Sequence, residues 1–204
     1  MMRKFWFVVI CLVSVARLAD ARRNFFVEKE VRCGAGQVCY LKADGRPLNG
    51  KLHQYYPNGV TRSITEYRDG VRFGDEELYY ADGKPRAYFV YQNGMIHGNA
   101  TTYYNNGNTE YETSYEAGVM HGVRKGFYQD GTLKFETDYV NGVRNGRERR
   151  YYANGKILGD IVFDMGRPVR ATCRTLDGQF IDFTDTAEQY INTERTPCNS
   201  HSAP

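Results

Sequence analysis

Residues 98–121 read GNATTYYNNGNTEYETSYEAGVMH, and this stretch decides the fold because close copies precede and follow it without a gap. The period is 24 residues, and a glycine opens every copy. These glycines are Gly50, Gly74, Gly98, Gly122 and Gly146. An aromatic pair, an Asn-Gly or Asp-Gly dipeptide and a closing glycine recur at the same spacing. A fixed period of this length indicates one supersecondary unit stacked on copies of itself.

The composition of the quoted copy predicts a β-hairpin. Residues 99–104 are rich in threonine and aromatics, which suit a pleated strand, and residues 109–115 alternate with a period of two. Asn106-Gly107 lies between these runs, and such a pair favours a tight hairpin turn in which both residues have positive φ. Gly118 then permits a sharp return to the next copy. Tyrosine suits so thin a sheet because its ring is covered while its hydroxyl reaches water.

The repeats predict an all-β fold, an elongated antiparallel meander of stacked hairpins with short atypical caps. We expect a signal peptide at residues 1–21, an N-terminal cap at 22–49, five hairpin repeats at 50–168 and a C-terminal cap at 169–204. In the first cap, residues 38–41 and the turn Asp44-Gly45 form a half-repeat that starts the sheet. The second cap has a closing hairpin, a short helix from Thr186 to about Thr193 capped by Thr184 or Asp185, and a disordered tail.

The N-terminus has the order of an export signal. Arg3 and Lys4 precede an apolar run, and Ala19-Asp20-Ala21 has the small-residue pattern of a cleavage site. The run is about 12 residues long, too short to cross a bilayer, which takes about 20. A buried N-terminal helix is the alternative interpretation. The order of the three features predicts a periplasmic or secreted protein that is cleaved near Ala21.

Four cysteines remain after cleavage, and an even number in an oxidising compartment indicates disulfides. Three pairings are open. We favour Cys33–Cys39 and Cys173–Cys198, because each pair then lies at one end of the repeat array. A zinc site built from all four thiolates is the alternative, but neither pair has the C-x2-C spacing of structural zinc. We therefore expect no metal.

The charge balance excludes some classes of partner. The full chain carries a formal net charge of +3, and cleavage removes three basic residues and one acidic residue, which leaves 24 basic and 23 acidic side chains. A nucleic-acid-binding domain is usually clearly basic, so no nucleic-acid partner is expected. The same balance gives no case for strong attraction to anionic lipid.

The variable strand positions form the candidate binding surface, because the constant positions are needed for the framework. The predicted binding residues are Tyr88, Glu110, Glu112, Lys134, Glu136, Arg147 and Arg149. Tyrosine and arginine are enriched at interaction hot spots. Two of these arginines belong to a basic cluster with Arg144 and Arg150, which is either a dock for an acidic partner or lipid headgroups, or a solvated strand edge.

Residues with catalytic or metal-binding potential have simpler explanations. His97 and His121 occupy equivalent positions one repeat apart, about 10 Å if two strand spacings separate them, which is too far for a shared metal without further ligands. Glutamates recur along the array and include a possible general acid and base pair. Their basic neighbours favour solvated cross-strand pairing on outward faces instead. We predict no catalytic residue, no cofactor and no enzymatic activity.

The unit Gly-x4-Tyr-Tyr-x-Asn-Gly-x7-Tyr-x2-Gly resembles the MORN repeat, and in particular the bacterial variant found in the YwqK antitoxin-like family. The resemblance covers about residues 45–168. It implies a stack of β-hairpins, which agrees with the period-two pattern. The shared positions are architectural, so the resemblance assigns no role to any particular residue.

The resemblance also implies a class of function. Proteins of the bacterial family are commonly labelled antitoxins, and some exported relatives look like immunity partners of secreted effectors. Eukaryotic MORN arrays are associated with membranes, phospholipid and protein partners. We therefore expect an exported, non-catalytic scaffold that binds a protein, such as an immunity protein that occludes a secreted effector or toxin. The alternative is a membrane-associated or surface-associated scaffold that binds phospholipid or a host factor.

Overall fold

The computed structural model describes residues 25–34, 37–190 and 197–198. Its strands are β1 (Phe25–Val27), β2 (Val31–Cys33), β3 (Cys39–Leu41), β4 (Gly50–Tyr55), β5 (Thr61–Arg68), β6 (Val71–Tyr79), β7 (Pro85–Gln92), β8 (Met95–Ile96), β9 (Gly98–Tyr103), β10 (Thr109–Glu116), β11 (Val119–Phe127), β12 (Leu133–Val140), β13 (Val143–Tyr151), β14 (Ile157–Asp164), β15 (Arg167–Arg174) and β16 (Phe180–Asp182). Two short 3₁₀ helices span Glu28–Glu30 and Thr184–Gln189. The predicted signal peptide and residues 199–204 of the predicted tail lie outside the described residues.

One large sheet runs through the whole array. From β4 onward the strands follow one another in chain order as an antiparallel meander, except that the short β8 pairs with β7 beside the main path. The predicted all-β meander of hairpins is therefore confirmed. Strands such as β11 begin at Val119, three residues before the glycine that opens the repeat, so the segment between repeats is itself part of a strand.

The two kinds of turn differ in backbone conformation. At the return turn both central residues have positive φ, 48° for Ala117 and 84° for Gly118, as expected for a two-residue type I′ turn. At the hairpin turn only Gly107 has positive φ, and its N–H donates to the Tyr104 carbonyl. The expectation that Asn106 also has positive φ is wrong, because the loop has the longer form in which a glycine closes a bulge. The Asn106 side chain instead accepts the N–H of Asn108.

The N-terminal cap differs from the expected half-repeat. The strand that starts the large sheet is β1, which pairs in parallel with β4. Residues 39–41 form β3 in a separate two-stranded sheet with β2, so their predicted place in the main sheet is wrong. The Cys33–Cys39 disulfide links this pair, and Cys39 N–H donates to the Gly70 carbonyl of the first return turn. The cap thereby packs a buried cluster over the end of the sheet: Phe26, Val31, Cys39, Leu41, Leu48, Leu52 and Tyr67.

The C-terminal cap closes the other end of the sheet. The predicted closing hairpin is present as β15 and β16. A 3₁₀ helix at Thr184–Gln189 replaces the helix expected from Thr186 to Thr193, and its N-cap residue is Phe183, without a side-chain cap. The reason is local, because the Thr184 hydroxyl accepts the N–H of Ala171 instead of capping the helix. Within the described ranges, no helix has the length and apolar character that crossing a membrane requires.

A second buried cluster holds the C-terminal cap to the array. It consists of Ile161, Phe163, Ala171, Cys173, Phe183 and Ala187. The second predicted disulfide, Cys173–Cys198, is present, and Cys198 packs against this cluster. Each predicted disulfide therefore closes a loop at one end of the array. Chain cross-links of this kind contribute about 2–4 kcal/mol each.

Candidate functional site

The two faces of the sheet have different chemistry. The aromatic face carries the buried ring at the end of each repeat, namely Tyr67, Tyr91, Tyr139 and Phe163, and both caps pack on it. The opposite face, here called the charged face, has a central row in which each residue pairs with the next across neighbouring strands. That row is His53, Ile64, Glu77, Tyr88, Thr101, Glu112, Lys125, Glu136, Arg149, Asp160, Thr172 and Asp182.

The structure brings five of the seven predicted binding residues onto the charged face. Four of them belong to the central row: Tyr88, Glu112, Glu136 and Arg149. Arg147 lies on the same face in the adjacent row, opposite Val162. These positions are far apart in the sequence, but the meander places their strands side by side.

The other two predicted residues, Glu110 and Lys134, lie at register shifts that follow the hairpin turns. The Glu110 carboxylate is 3.5 Å from the hydroxyl of Thr102, which belongs to the aromatic face. The Lys134 ammonium is 5.4 Å from the centre of the Tyr128 ring. A bulge breaks strict alternation, so the period of two in the sequence did not place these side chains correctly.

Charge is separated along the charged face. From β5 to β12 the two central rows hold six carboxylates, which we call the acidic section, against the single cation Lys125. The acidic section is Glu66, Asp75, Glu77, Glu112, Glu136 and Asp138. From β13 to β15 the same rows hold three arginines against Asp160, and these arginines, Arg147, Arg149 and Arg170, form the basic section.

Many charged side chains at the ends of the face are already paired. Arg147 Nε lies 2.8 Å from both oxygens of Asp160, and Arg149 Nη1 lies 3.3 Å from Glu136 Oε1. Tyr88 donates to Asp75 over 2.6 Å, and this bond, with burial, raises the pKa of the Tyr88 hydroxyl to about 12. These contacts fix the side chains and reduce what they offer to a ligand.

The centre of the face is different. Glu112 and Lys125 are directly opposite each other on β10 and β11, yet within the described part of the chain neither takes part in a hydrogen bond or an ion pair. Glu112 is exposed. The pair therefore offers one carboxylate and one ammonium at the middle of the array, without a local partner to displace.

The basic cluster predicted from sequence is divided between the two faces. Arg150 lies on the aromatic face, where its Nε donates to Glu148 over 2.7 Å and both side chains are buried. Arg144 lies 3.6 Å from the same carboxylate. Glu148 and Glu76 were expected mostly on outward faces, but both are buried and accept bonds from threonines of the neighbouring strand. Alternation along β13 explains the division, because arginines at odd and even positions point in opposite directions.

The two histidines do not meet in a metal site. The Ala117 N–H lies 3.5 Å from His97 Nδ1, and His121 Nδ1 lies 3.9 Å from the Glu116 carboxylate. A search of the described residues finds no group of three or more metal-binding side chains. Their geometry fits loop residues with local contacts.

A cavity of about 310 Å³ on the charged face was not foreseen. Its lining residues are Arg147, Asp160, Val162, Arg170 and Thr172. Only Arg147 among them was predicted to bind. Arg170 and Thr172 belong to β15, outside the repeats, and the only clue in the sequence was the continued alternation of this strand beside the last repeat.

Comparison with known families agrees with this architecture. Three consecutive segments, residues 96–117, 120–141 and 144–164, match the family model described as the MORN repeat variant. Each segment ends within or just before a return turn, so one family unit corresponds to one hairpin of the sheet. No curated protein matches the chain. The chain thus contains MORN-type repeats arranged as a β-hairpin scaffold.

Proposed function

We propose that this protein is a non-catalytic scaffold that binds another protein through its charged face. The observation that carries the proposal is the unbroken central row, in which Glu112 and Lys125 have no described partner while the charges farther along are held by their neighbours. Unpaired charges on a rigid sheet steer encounter and fix the register of a partner at little ordering cost. The acidic section selects a partner whose facing surface is basic.

The most specific form of the proposal is an immunity role. In this form the protein is exported and covers the active surface of a secreted effector. Two disulfides support an oxidising compartment, because such bonds rarely persist in the cytosol. The N-terminal export pattern and the resemblance to antitoxin-like repeat proteins point in the same direction.

The chain offers a matched pair of variants for a capture experiment. Glu112→Lys reverses a charge at the centre of the charged face, whereas Glu110→Lys makes the same change two residues away at a bulge. Immobilised wild-type protein and both variants are exposed to periplasmic and culture-medium extracts of the source organism, and bound proteins are identified by mass spectrometry. We expect one protein to be retained by wild type and Glu110→Lys and lost with Glu112→Lys.

The same variants test the immunity role. The captured protein is assayed for toxicity or enzymatic activity with and without added scaffold. We expect wild type to inhibit it and Glu112→Lys to inhibit it far less. Equal retention by all three forms would refute the charged face as the binding surface. Retention without inhibition would leave a binding scaffold and remove the immunity role.

A specific observation also favours the second candidate, a lipid-binding scaffold. The return turns present a strip of half-exposed apolar side chains along one edge of the sheet: Met95, Val119, Val140, Val143 and Met165. Co-sedimentation with phospholipid vesicles tests this edge. Binding that persists at high salt and is weakened by Val143→Ser would favour the lipid scaffold over the protein scaffold.

A further inference from the structure

The cavity beneath Arg147 and Arg170 has the composition of a site for a single negative charge. Val162 pairs with Arg147 on one side and with Arg170 on the other, so the two arginines flank an apolar floor. Asp160 and Thr172 complete the lining. Two guanidinium groups and one carboxylate give the cavity a net charge of +1.

The two arginines have different amounts of hydrogen-bonding capacity to spare. Arg147 uses Nε and Nη2 on Asp160, which leaves Nη1 as a donor. Arg170 has no hydrogen bond or ion pair to any described residue, although it lines the cavity. An arginine has five N–H donors in a planar fork that matches a carboxylate. Asp160 thus holds one guanidinium in place, and the other is available to a ligand.

We propose that this cavity receives the carboxylate of an aspartate or glutamate side chain of the protein partner. The inference rests on the proposed protein-binding function and adds an acidic contact to the basic surface that the acidic section selects. The volume is at the low end of ligand sites, which suits one side chain. Val162 provides contact for its methylene groups. A carboxylate matches the net charge of +1, whereas a dianionic phosphate would be repelled more strongly by Asp160.

A partner-free titration tests the cavity. Uniformly ¹⁵N-labelled protein is titrated with N-acetylglutamate amide, with the neutral N-acetylglutamine amide, and with inorganic phosphate, and NMR shifts are followed. We expect saturable shifts in the amides of residues 160–172 and in the Arg170 side chain with the glutamate probe alone. Arg170→Gln is expected to weaken binding about tenfold, because it removes one charge-assisted hydrogen bond. Arg167→Gln, on the same strand but outside the cavity, should bind as wild type does.

Several results would overturn the inference. These are equal shifts with the glutamine probe, tighter binding of phosphate than of the glutamate probe, or unchanged binding in Arg170→Gln. Because no partner is present, failure here is separable from failure of the proposed function. If the glutamate probe does not bind but Glu112→Lys still abolishes capture, the cavity inference is wrong and the scaffold proposal stands.

Discussion

The hydroxyl of Tyr104 donates a hydrogen bond of 2.7 Å to the backbone carbonyl of Phe127, 23 residues further along the chain. The second tyrosine of every aromatic pair makes the equivalent bond to the next hairpin. The other bonds are Tyr56 to Tyr79, Tyr80 to Tyr103, Tyr128 to Tyr151 and Tyr152 to Arg174. These hydroxyls were expected to reach water, and instead they connect successive repeats. Phenylalanine is tolerated at 127 because only its carbonyl takes part.

Tyr104→Phe should therefore weaken the contact between two repeats while keeping the ring. We expect a loss of about 1 kcal/mol in the free energy of unfolding, since the Phe127 carbonyl loses a partner. Tyr103→Phe is the matched control, because the Tyr103 hydroxyl has no hydrogen bond to a described residue. Urea denaturation measures both. Equal losses in the two variants would contradict the role of the Tyr104 bond.

The sequence predicted the fold because the features that determine it are local. The period, the Asn-Gly and Asp-Gly turns and the closing glycines are visible in one copy and repeated in the next. The caps were less predictable, since β1 reaches β4 in parallel through packing of Phe26 rather than through any repeated pattern. The helix near the C-terminus was misplaced because Thr184 bonds to a distant strand.

Glu148 predicts an unequal effect of two equivalent substitutions. Its carboxylate accepts bonds from Thr137 and from the buried Arg150, so Glu148→Ala leaves an arginine without its carboxylate. We expect a loss of about 3 kcal/mol in the free energy of unfolding.

Glu76 is the equivalent residue three repeats earlier, and it supplies the control. Its bonds are to the hydroxyls of Thr65 and Tyr91, so Glu76→Ala leaves neutral groups behind. We expect a loss of about 1–2 kcal/mol, because an unpaired hydroxyl is less unfavourable than an unpaired buried charge. Denaturant unfolding of the two variants compares them. A larger loss for Glu76→Ala would show that the Arg150 contact is not the dominant one.

Tyr88 and Asp75 predict a change of stability at high pH. The bond to Asp75, with burial, raises the pKa of Tyr88 from 10.0 to about 12. The folded state holds this proton more tightly than the unfolded state does. The stabilisation is therefore complete below the unfolded pKa of 10.0 and is lost as the pH rises through the folded value of about 12.

Ultraviolet titration of tyrosinate measures this effect directly. In wild type at least two tyrosines should ionise late, because burial and a bond to Glu77 also raise the pKa of Tyr79 to about 12. Asp75→Asn should return Tyr88 toward the ordinary value and leave Tyr79 late. Tyr88→Phe should remove one late tyrosine altogether. An unchanged curve in Asp75→Asn would mean that the Asp75 bond does not set the pKa.

The candidate site was predictable in part, for a geometric reason. Alternation placed Glu112 and Glu136 on one face, because no bulge separates them from the centre of their strands. It failed at Glu110, where a bulge follows the turn. It also gave no indication of Arg170, which becomes part of the face only through the pairing of β15 with β14. Pairing beyond the repeats depends on tertiary packing and leaves no periodic trace.

Met165 predicts a stabilising substitution. Its φ is 46°, in the left-handed region, and its side chain is 74% exposed. The equivalent return-turn residues in earlier repeats are Asp69, Asn93, Ala117 and Asn141. Asparagine tolerates this conformation better than methionine does, because its short polar side chain bonds locally. So exposed a methionine buries little apolar surface, and Met165→Asn should therefore raise the free energy of unfolding by about 0.5–1 kcal/mol.

The reciprocal change in the preceding repeat provides the control. Asn141→Met places methionine at a φ of 51°, in an equivalent turn followed by Gly142, and should lower the free energy of unfolding by a similar amount. Both variants are measured by thermal and denaturant unfolding under the same conditions. If Met165→Asn destabilises the protein, the packing of Met165 must outweigh the strain. A neutral effect of both changes would show that the backbone conformation at these turns does not discriminate between the two side chains.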